Sequence, residues 1–282
     1  MTEALFRVET EAGACLARGS TEAGPQELLS PSLRLDELLA GGSATLAEAL
    51  ADAPASGRCP PDMRLLAPVE GQEVWCSGVS YQRSRDARME ESTEPDIYDR
   101  IYEADRPELF FKAPGWRVQG PGAPVGVRLD SGWDMAEPEL GLVVTAGAEI
   151  AGYVIGNDLS SRTIEGENPL YLPQAKVFDH ACALGPAIVP AGLVDGAMPI
   201  SMRITRAGET VYEGSTSTDR LKRTYDELVS WLFRALRFPL GVVLLTGTGV
   251  VPEASVTLKP GDIVRITIEP LGVLENPVIG VG

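Results

Sequence analysis

The most informative segment of this sequence runs from Glu137 to Lys176. It opens with Glu137-Pro-Glu-Leu140, continues through Gly152-Tyr-Val-Ile-Gly-Asn-Asp-Leu-Ser-Ser-Arg162 and closes at Gln174-Ala-Lys176. Its surroundings are apolar and typical of β-strands, so its few charged side chains need an explanation. The four that stand out are Glu137, Glu139, Asp158 and Lys176.

The spacing of the acids predicts that they meet at one end of a β-hairpin. Glu137 and Glu139 are two residues apart, so on a strand both side chains project from the same face. Residues 140–145 and 150–157 form two predicted strands, joined by a turn at Gly147-Ala148. Antiparallel pairing around that turn places Asp158 opposite residues 137–139. Three carboxylates therefore converge.

Three neighbouring carboxylates repel one another, and burying them requires a compensating positive charge. Ligation by oxygen alone favours a hard cation, Mg²⁺, Mn²⁺ or Ca²⁺, because zinc usually recruits His or Cys. We expect the single histidine, His180, to be packed or hydrogen-bonded locally rather than to bind metal. The alternative for the three acids is a solvated strand end with ordinary surface carboxylates.

Lys176 follows an uncharged segment and stands close to the predicted metal site. An amine beside a metal-bound substrate can neutralise enolate charge, or act as a base. The alternative is an ordinary surface lysine. Thr246-Gly-Thr-Gly249 follows a predicted buried strand and can bring hydroxyl and backbone N–H groups to a carboxylate, which makes Thr248 a candidate substrate contact.

Composition excludes several classes of function. The 282 residues are 44% hydrophobic and 23% charged, as in ordinary globular proteins. A net charge of −16 argues against nucleic acid or an anionic membrane surface as a partner. No apolar run approaches the roughly 18 residues of a membrane span, and the N-terminus lacks the apolar region of a signal peptide. The four cysteines lack CxxC spacing, which favours reduced thiols in a cytoplasmic protein.

The predicted fold class is mostly β (α+β). Residues 1–70 are predicted to form a small N-terminal α+β domain, and residues 71–282 a mostly antiparallel, metal-binding catalytic β domain. Two helices are predicted in the second domain. One is the charged segment Gln82–Glu91, and the other is an amphipathic helix capped by Ser217 or Thr218 that runs on to Leu236.

The motifs together resemble the fumarylacetoacetate hydrolase superfamily, from about Val74 to the C-terminus. Besides the opening stretch, the resemblance includes Cys182-Ala-Leu-Gly-Pro186, the Thr246–Gly249 segment and the closing Pro260–Val278 segment. It implies a mixed β-roll or sandwich catalytic domain, with a magnesium-type ion on Glu137, Glu139 and Asp158 and a catalytic Lys176. It also implies a 2-oxo acid substrate and a homodimer or dimer of dimers.

One departure from the motifs of the superfamily narrows the resemblance to a single branch of it. Hydrolases of carbon–carbon bonds in this superfamily carry Asn-Tyr-x-x-His after the first strand, where the histidine activates water. This chain has Ser80-Tyr-Gln-Arg-Ser84, without that base. With Glu108-Leu-Phe-Phe-Lys112 and Ile164–Pro173, it resembles the 2-keto-3-deoxy-D-arabinonate dehydratase branch, whose members dehydrate 2-keto-3-deoxy pentonates to 2,5-dioxopentanoate.

The resemblance implies a metal-dependent lyase. Lys176 is then the base at C3 or the partner of the enolate, and Glu108 the acid for the departing 4-hydroxyl. Arg83, Ser84, Lys176 and Thr248 are the predicted substrate contacts. The alternatives are carbon–carbon bond hydrolysis or oxaloacetate-type decarboxylation on the same fold, and a non-enzymatic β domain that binds a structural Ca²⁺.

Overall fold

The structure is a computed structural model that describes residues 2–91 and 95–282. β-strands account for most of its regular structure, as the sequence predicts. The strands within these residues are β1 (Glu3–Thr10), β2 (Gly13–Ser20), β3 (Gly24–Leu29), β4 (Ala55–Arg58), β5 (Leu65–Leu66), β6 (Glu73–Gly78), β7 (Glu108–Pro114), β8 (Val125–Arg128), β9 (Asp134–Met135), β10 (Pro138–Val144), β11 (Ile150–Asp158), β12 (Ser160–Ser161), β13 (Cys182–Pro190), β14 (Pro199–Arg206), β15 (Glu209–Ser217), β16 (Val242–Leu245), β17 (Ile263–Ile268) and β18 (Gly272–Val281).

The helices are short, and several of them surround the end of the β10–β11 hairpin. In the described residues the α-helices are α1 (Leu35–Gly41), α2 (Ser43–Asp52), α3 (Gln82–Glu91), α4 (Pro95–Glu103), α5 (Arg162–Glu167), α6 (Leu172–Lys176) and α7 (Tyr225–Leu232). Single 3₁₀ turns occupy Gly115–Arg117, Pro169–Tyr171, Ala191–Leu193 and Thr218–Arg220. None of the helices in the described ranges is long and apolar enough to cross a membrane.

Two sheets dominate the described part of the chain. The larger has the strand order β4-β3-β2-β1-β13-β11-β10-β16-β6-β7, with β5 paired to β1, and the smaller has the order β15-β14-β17-β18-β8. Their strand pairs are antiparallel except β16 with β6 and β18 with β8. The structure therefore confirms the predicted mostly β fold with mixed sheets.

The N-terminal strands extend the large sheet. Strand β1 pairs with β13 through Leu5 and Ile188, so backbone hydrogen bonding joins the first residues to the part of the chain that carries the site. Helices α1 and α2 contribute apolar side chains to the same buried cluster as that face of the sheet. The domain boundary near residue 70 stays a prediction.

The two faces of β10 enter different cores, because alternate side chains of a strand point to opposite sides. Leu140 and Leu142 lie in the cluster shared with the smaller sheet, whereas Val143 lies in the cluster shared with α1 and α2. Glu137 and Glu139 have the same parity as Val143. The carboxylates therefore lie on the helix-covered face, beyond the end of its apolar cluster.

The amphipathic helix begins later than predicted. Residues Thr218–Arg220 form a 3₁₀ turn, and α7 starts at Tyr225, where the Thr224 hydroxyl accepts a hydrogen bond from the backbone N–H of Glu227 at 3.2 Å. The predicted caps fail because Thr218 instead accepts a hydrogen bond from the N–H of Met198. The predicted end was also wrong, since Leu236 lies beyond the helix and is exposed.

The corrected N-terminus of α7 can be tested by substitution. We expect Thr224→Ala to lower the free energy of unfolding by about 1 kcal/mol, because a backbone N–H loses its acceptor. Ser217→Ala is the matched control, since the Ser217 side chain caps nothing, and it should change stability by less than about 0.5 kcal/mol. Urea denaturation of both variants measures the difference. Equal destabilisation would contradict the assignment.

Candidate active site

The three carboxylates meet at the end of the β10–β11 hairpin, as the sequence predicts. Pro138 pairs with Asn157, and the N–H of Asp158 donates to the carbonyl of Glu137 at 3.0 Å. Glu137, Glu139 and Asp158 are 4%, 1% and 1% exposed. One carboxylate oxygen from each lies within 4.8 Å of the other two. The solvated strand end that was the alternative does not fit this burial.

Lys176 reaches the carboxylates from α6. Its Nζ donates to Glu137 Oε2 at 2.7 Å, to Asp158 Oδ2 at 2.7 Å and to the Ser160 hydroxyl at 2.6 Å. Burial opposes the positive charge, but the carboxylates of Asp158 and Glu137 outweigh it and hold the pKa of Lys176 well above its ordinary value. Lys176 is therefore a buried ammonium rather than a surface lysine.

Glu139 is bound by the backbone of the loop after β16. The N–H of Gly247 donates to Glu139 Oε2 at 2.7 Å. Gly247 has a φ of 91°, and a Cβ there would lie 1.9 Å from the Ser80 hydroxyl, so glycine is required. Burial, followed by the charges of Asp158 and Glu137, raises the pKa of Glu139 well above its ordinary value. The Glu139 carboxylate is thus the one that most needs an added cation.

Two buried arginines, which the sequence did not single out, hold the other oxygen of Glu137. Arg88 on α3 donates to Glu137 Oε1 at 3.0 Å, and Arg162 at the start of α5 forms an ion pair with the same oxygen at 2.8 Å. Arg88 also pairs with Glu165 at 3.2 Å. The charged pattern of Gln82–Glu91 was interpreted as a solvated helix face, and Arg88 is the exception. The one feature of the sequence that could have indicated the burial of Arg88 is its spacing of four residues from Ser84, which places both side chains on the same face of the helix.

A second lysine, Lys112 on β7, is also missing from the predicted site. Its Nζ lies 2.5 Å from Asp158 Oδ1, opposite the oxygen that binds Lys176. Burial would raise the pKa of Asp158, but Lys112 and Lys176 outweigh it and hold the pKa below its ordinary value. The signal in the sequence was a lone charge inside an otherwise apolar strand.

Glu108, the predicted acid, lies at the mouth of the same cavity. Its carboxyl group packs on the backbone of Gly78, where an added Cβ would lie 2.2 Å from Glu108 Oε2. Burial, and then the neighbouring charge of Glu165, raises the pKa of Glu108 to about 7. A carboxyl group with this pKa exchanges a proton readily near neutral pH.

The remaining predicted contacts divide into two groups. Ser84 and Thr248 are buried and line the cavity beside the carboxylates, although the Thr248 hydroxyl already accepts from the N–H of Val250. Arg83 is exposed and faces a separate surface hollow that Tyr102 and Tyr212 also line. The structure therefore does not bring Arg83 to the carboxylates, and its role stays a prediction.

His180 and the cysteines behave as expected. The Nδ1 atom of His180 lies 3.0 Å from the carbonyl of Pro124, a local hydrogen bond away from the carboxylates. Cys15, Cys59, Cys76 and Cys182 are all free. The ligand set around the carboxylates is therefore composed of oxygen atoms.

The cavity between these groups is small. Its volume is about 20 Å³, room for one water molecule or one ion. Leu172 of α6, Glu165 of α5 and Arg88 of α3 form part of its wall.

The donor set fits a hard divalent cation. Glu137, Glu139 and Asp158 offer carboxylate oxygens, the ligands that magnesium, manganese and calcium prefer. Burial first, and then the charges of Asp158 and Glu137, raise the pKa of Glu139 and oppose its negative charge. A dication at this position would stabilise that charge.

Comparison with known proteins identifies the class to which this fold and site belong. The family description "Fumarylacetoacetate (FAA) hydrolase C-terminal" matches residues 73–279, so the chain belongs to this family. A probable 2-keto-3-deoxyxylonate dehydratase of Haloferax volcanii is 51% identical over 219 residues, which cover 77% of this chain and 75% of the relative. A 2-dehydro-3-deoxy-D-arabinonate dehydratase of Saccharolobus solfataricus is 41% identical over 223 residues, with the same coverage.

Comparison with solved structures leads to the same family and the same branch. The structure of 2-keto-3-deoxy-D-arabinonate dehydratase complexed with magnesium and 2,5-dioxopentanoate matches with a TM-score of 0.83 at 32% identity, and the match covers 99% of both chains. These similarities confirm the resemblance to the superfamily and to its dehydratase branch.

The cation site predicts a stability change that needs no substrate. We expect magnesium chloride to raise the melting temperature of the wild-type protein, because an ion that binds the folded state alone adds about 2.7 kcal/mol at 100 times its Kd. Glu139→Gln should abolish this response, since it removes one ligand. Differential scanning calorimetry with and without magnesium measures the effect. A response retained in Glu139→Gln would place the ion elsewhere.

Proposed function

We propose that this protein is a magnesium-dependent dehydratase that converts a 2-keto-3-deoxy sugar acid, such as 2-keto-3-deoxy-D-arabinonate, into 2,5-dioxopentanoate. The observation that carries the proposal is the buried carboxylate triad with Lys176 hydrogen-bonded to two of its members. The dehydratase names of the relatives that are 51% and 41% identical support the reaction type. The magnesium and 2,5-dioxopentanoate in the related structure support the ion and the product.

Glu137, Glu139 and Asp158 would hold the magnesium ion. When bound, the ion supplies Lewis-acid polarisation of the keto and carboxylate oxygens of a 2-oxo acid, which acidifies the C3 protons. Arg88 and Arg162 keep Glu137 Oε1 occupied, so that Glu137 Oε2 is the oxygen that faces Lys176 and the cavity.

Lys176 would act at C3 and its enolate, and Glu108 would act at the hydroxyl on C4. Lys176, a buried ammonium, would hold the enolate oxygen by hydrogen bonding, and it would accept the C3 proton only after losing its own proton. Glu108, with a pKa raised to about 7 by burial, donates a proton to the departing C4 hydroxyl. The C3–H and C4–O bonds break, the C3–C4 double bond forms, and water leaves. Both side chains line the same cavity, as an elimination that breaks bonds at both C3 and C4 requires.

The dehydrated acid then isomerises to 2,5-dioxopentanoate, a 2-oxo acid with a terminal aldehyde, without further reagents. A proton leaves C5 and a proton adds to C3, which gives an enol at C4 and C5. A proton then adds to C4 while the enol hydroxyl loses its own, and C5 becomes the aldehyde carbon. The overall change is the loss of one water molecule, so no oxidant or reductant is needed. Glu108 and Lys176 line the cavity in which these proton transfers would take place.

The proposed reaction is tested by product analysis. Magnesium-loaded protein incubated with 2-keto-3-deoxy-D-arabinonate should give 2,5-dioxopentanoate, detected by mass spectrometry as a loss of water, and Asp158→Asn should give none. Acylpyruvate and oxaloacetate serve as alternative substrates. Cleavage of a carbon–carbon bond or decarboxylation, without dehydration of the pentonate, would overturn the proposal. Absence of all three activities would favour a domain that binds a structural cation.

The pH dependence tests the role of Glu108. Because the carboxyl group must be protonated to donate, kcat/KM should fall about tenfold per pH unit above a pKa of about 7. Glu108→Gln should lower kcat by about 10²- to 10⁴-fold and remove this limb of the profile.

Gly78→Ala provides a positional control for Glu108. The added methyl group would meet the Glu108 carboxylate rather than any more distant group, so it should reduce kcat while leaving the magnesium response of the melting temperature intact. An unchanged alkaline limb in Glu108→Gln would show that another group donates the proton.

A further inference from the structure

Lys112 is a buried lysine that the proposed reaction does not use. It lies on β7 among apolar neighbours, with a side chain 0% exposed. A buried ammonium is costly unless its donors are satisfied and its charge is paired. Lys112 Nζ donates hydrogen bonds to the carbonyls of Leu159 at 2.8 Å and Lys176 at 2.5 Å. It also forms an ion pair with Asp158 Oδ1 at 2.5 Å.

Asp158 is the anionic partner of this ammonium. The nearby thiols of Cys76 and Cys182 stay neutral, because burial raises the pKa of Cys182 to about 12 and that of Cys76 well above its ordinary value. The ring of Phe178 covers another side, with its centroid 5.8 Å from Nζ. The charge of Lys112 is therefore directed at one proposed metal ligand.

The contact with Asp158 fixes the orientation of that carboxylate. Lys112 holds Oδ1, and Oδ2 consequently points towards Lys176 and the rest of the triad. The Leu159 carbonyl, one residue further along the chain, is held by the same ammonium. Free rotation of the Asp158 side chain would break both ion pairs.

The contact with the Lys176 carbonyl fixes the helix from which Lys176 projects. Lys176 is the last residue of α6, and the last carbonyls of a helix have no partner within it. Lys112 supplies the missing donor from a strand of the large sheet. One ammonium therefore ties the end of β11 to the end of a short helix.

We propose that Lys112 is a positioning residue, which holds Asp158 and the backbone of Lys176 in register so that the metal ligand and the reacting amine keep a fixed separation. The inference deepens the proposed function and rests on it for the catalytic part. Its metal-binding part stands on the contacts alone.

The test replaces Lys112 by methionine, which keeps the length of the side chain and removes all three donors. We expect the Kd for magnesium, measured by calorimetry without substrate, to rise about 10- to 100-fold, as when other groups that orient metal ligands are lost. At saturating magnesium, kcat and kcat/KM should fall together by about 100-fold, because the reacting amine is displaced.

Two further variants separate positioning from simple stability. Lys222→Met removes a lysine that also pairs with a carboxylate, Glu103, but lies away from the cavity, and it should change neither the Kd nor kcat. At saturating magnesium in a Lys176→Met background, Lys112→Met should cause no further loss of rate, because the catalytic part of its effect acts through Lys176. Losses that multiply, or a Kd and kcat unchanged by Lys112→Met despite a lower melting temperature, would overturn the proposal.

The outcomes also distinguish this inference from the proposed function. If Lys112→Met does not fold, Lys112→Gln, which retains a neutral donor, takes its place in the same measurements. Wild-type protein that binds magnesium but dehydrates nothing would refute the reaction and leave the change in Kd as the test of Lys112. Wild-type protein that dehydrates its substrate, beside a Lys112 variant with unchanged Kd and kcat, would refute the role of Lys112 alone.

Discussion

Mutual repulsion between three buried carboxylates is the constraint on which this site and the elements around it depend. Glu137, Glu139 and Asp158 present oxygens within 4.8 Å of one another, and each residue is almost completely buried. Without neighbouring positive charge, such a cluster would take up protons or expose itself to water. The cations that prevent this come from four separate elements: Lys112 of β7, Lys176 of α6, Arg88 of α3 and Arg162 of α5.

The site therefore depends on several elements of the chain and not on the hairpin alone. Removing one member of a buried ion pair typically costs about 3–5 kcal/mol, because the remaining charge is left without a partner. Ion pairs connect the short helices α5 and α6 to the groups around the site: Arg162 to Glu137, Glu165 to Arg88 and Lys176 to Asp158. The helices that supply these cations also form part of the cavity wall.

The candidate site was predictable to the extent that it depends on local spacing. The hairpin register brought Asp158 beside Glu137 as expected, and Lys176, Glu108 and Ser84 line the same cavity. The arginines were missed because alternating charges on a helix usually indicate a solvated face, and burial of Arg88 depends on α5 packing opposite it. The start of α7 was predicted wrongly for a similar reason. The Thr218 hydroxyl accepts a hydrogen bond from the N–H of Met198, just before β14, and so does not cap the helix.

The sequence by itself determined the mostly β fold, the convergence of the three acids and the oxygen-only character of their ligand set. Those features follow from the two-residue period of a strand, the position of one turn and the scarcity of histidine. Tertiary packing alone sets which cations meet the acids, which hollow Arg83 faces and how small the cavity is. These depend on contacts between residues far apart in the chain, such as Lys112 with Asp158, whose geometry no local pattern encodes.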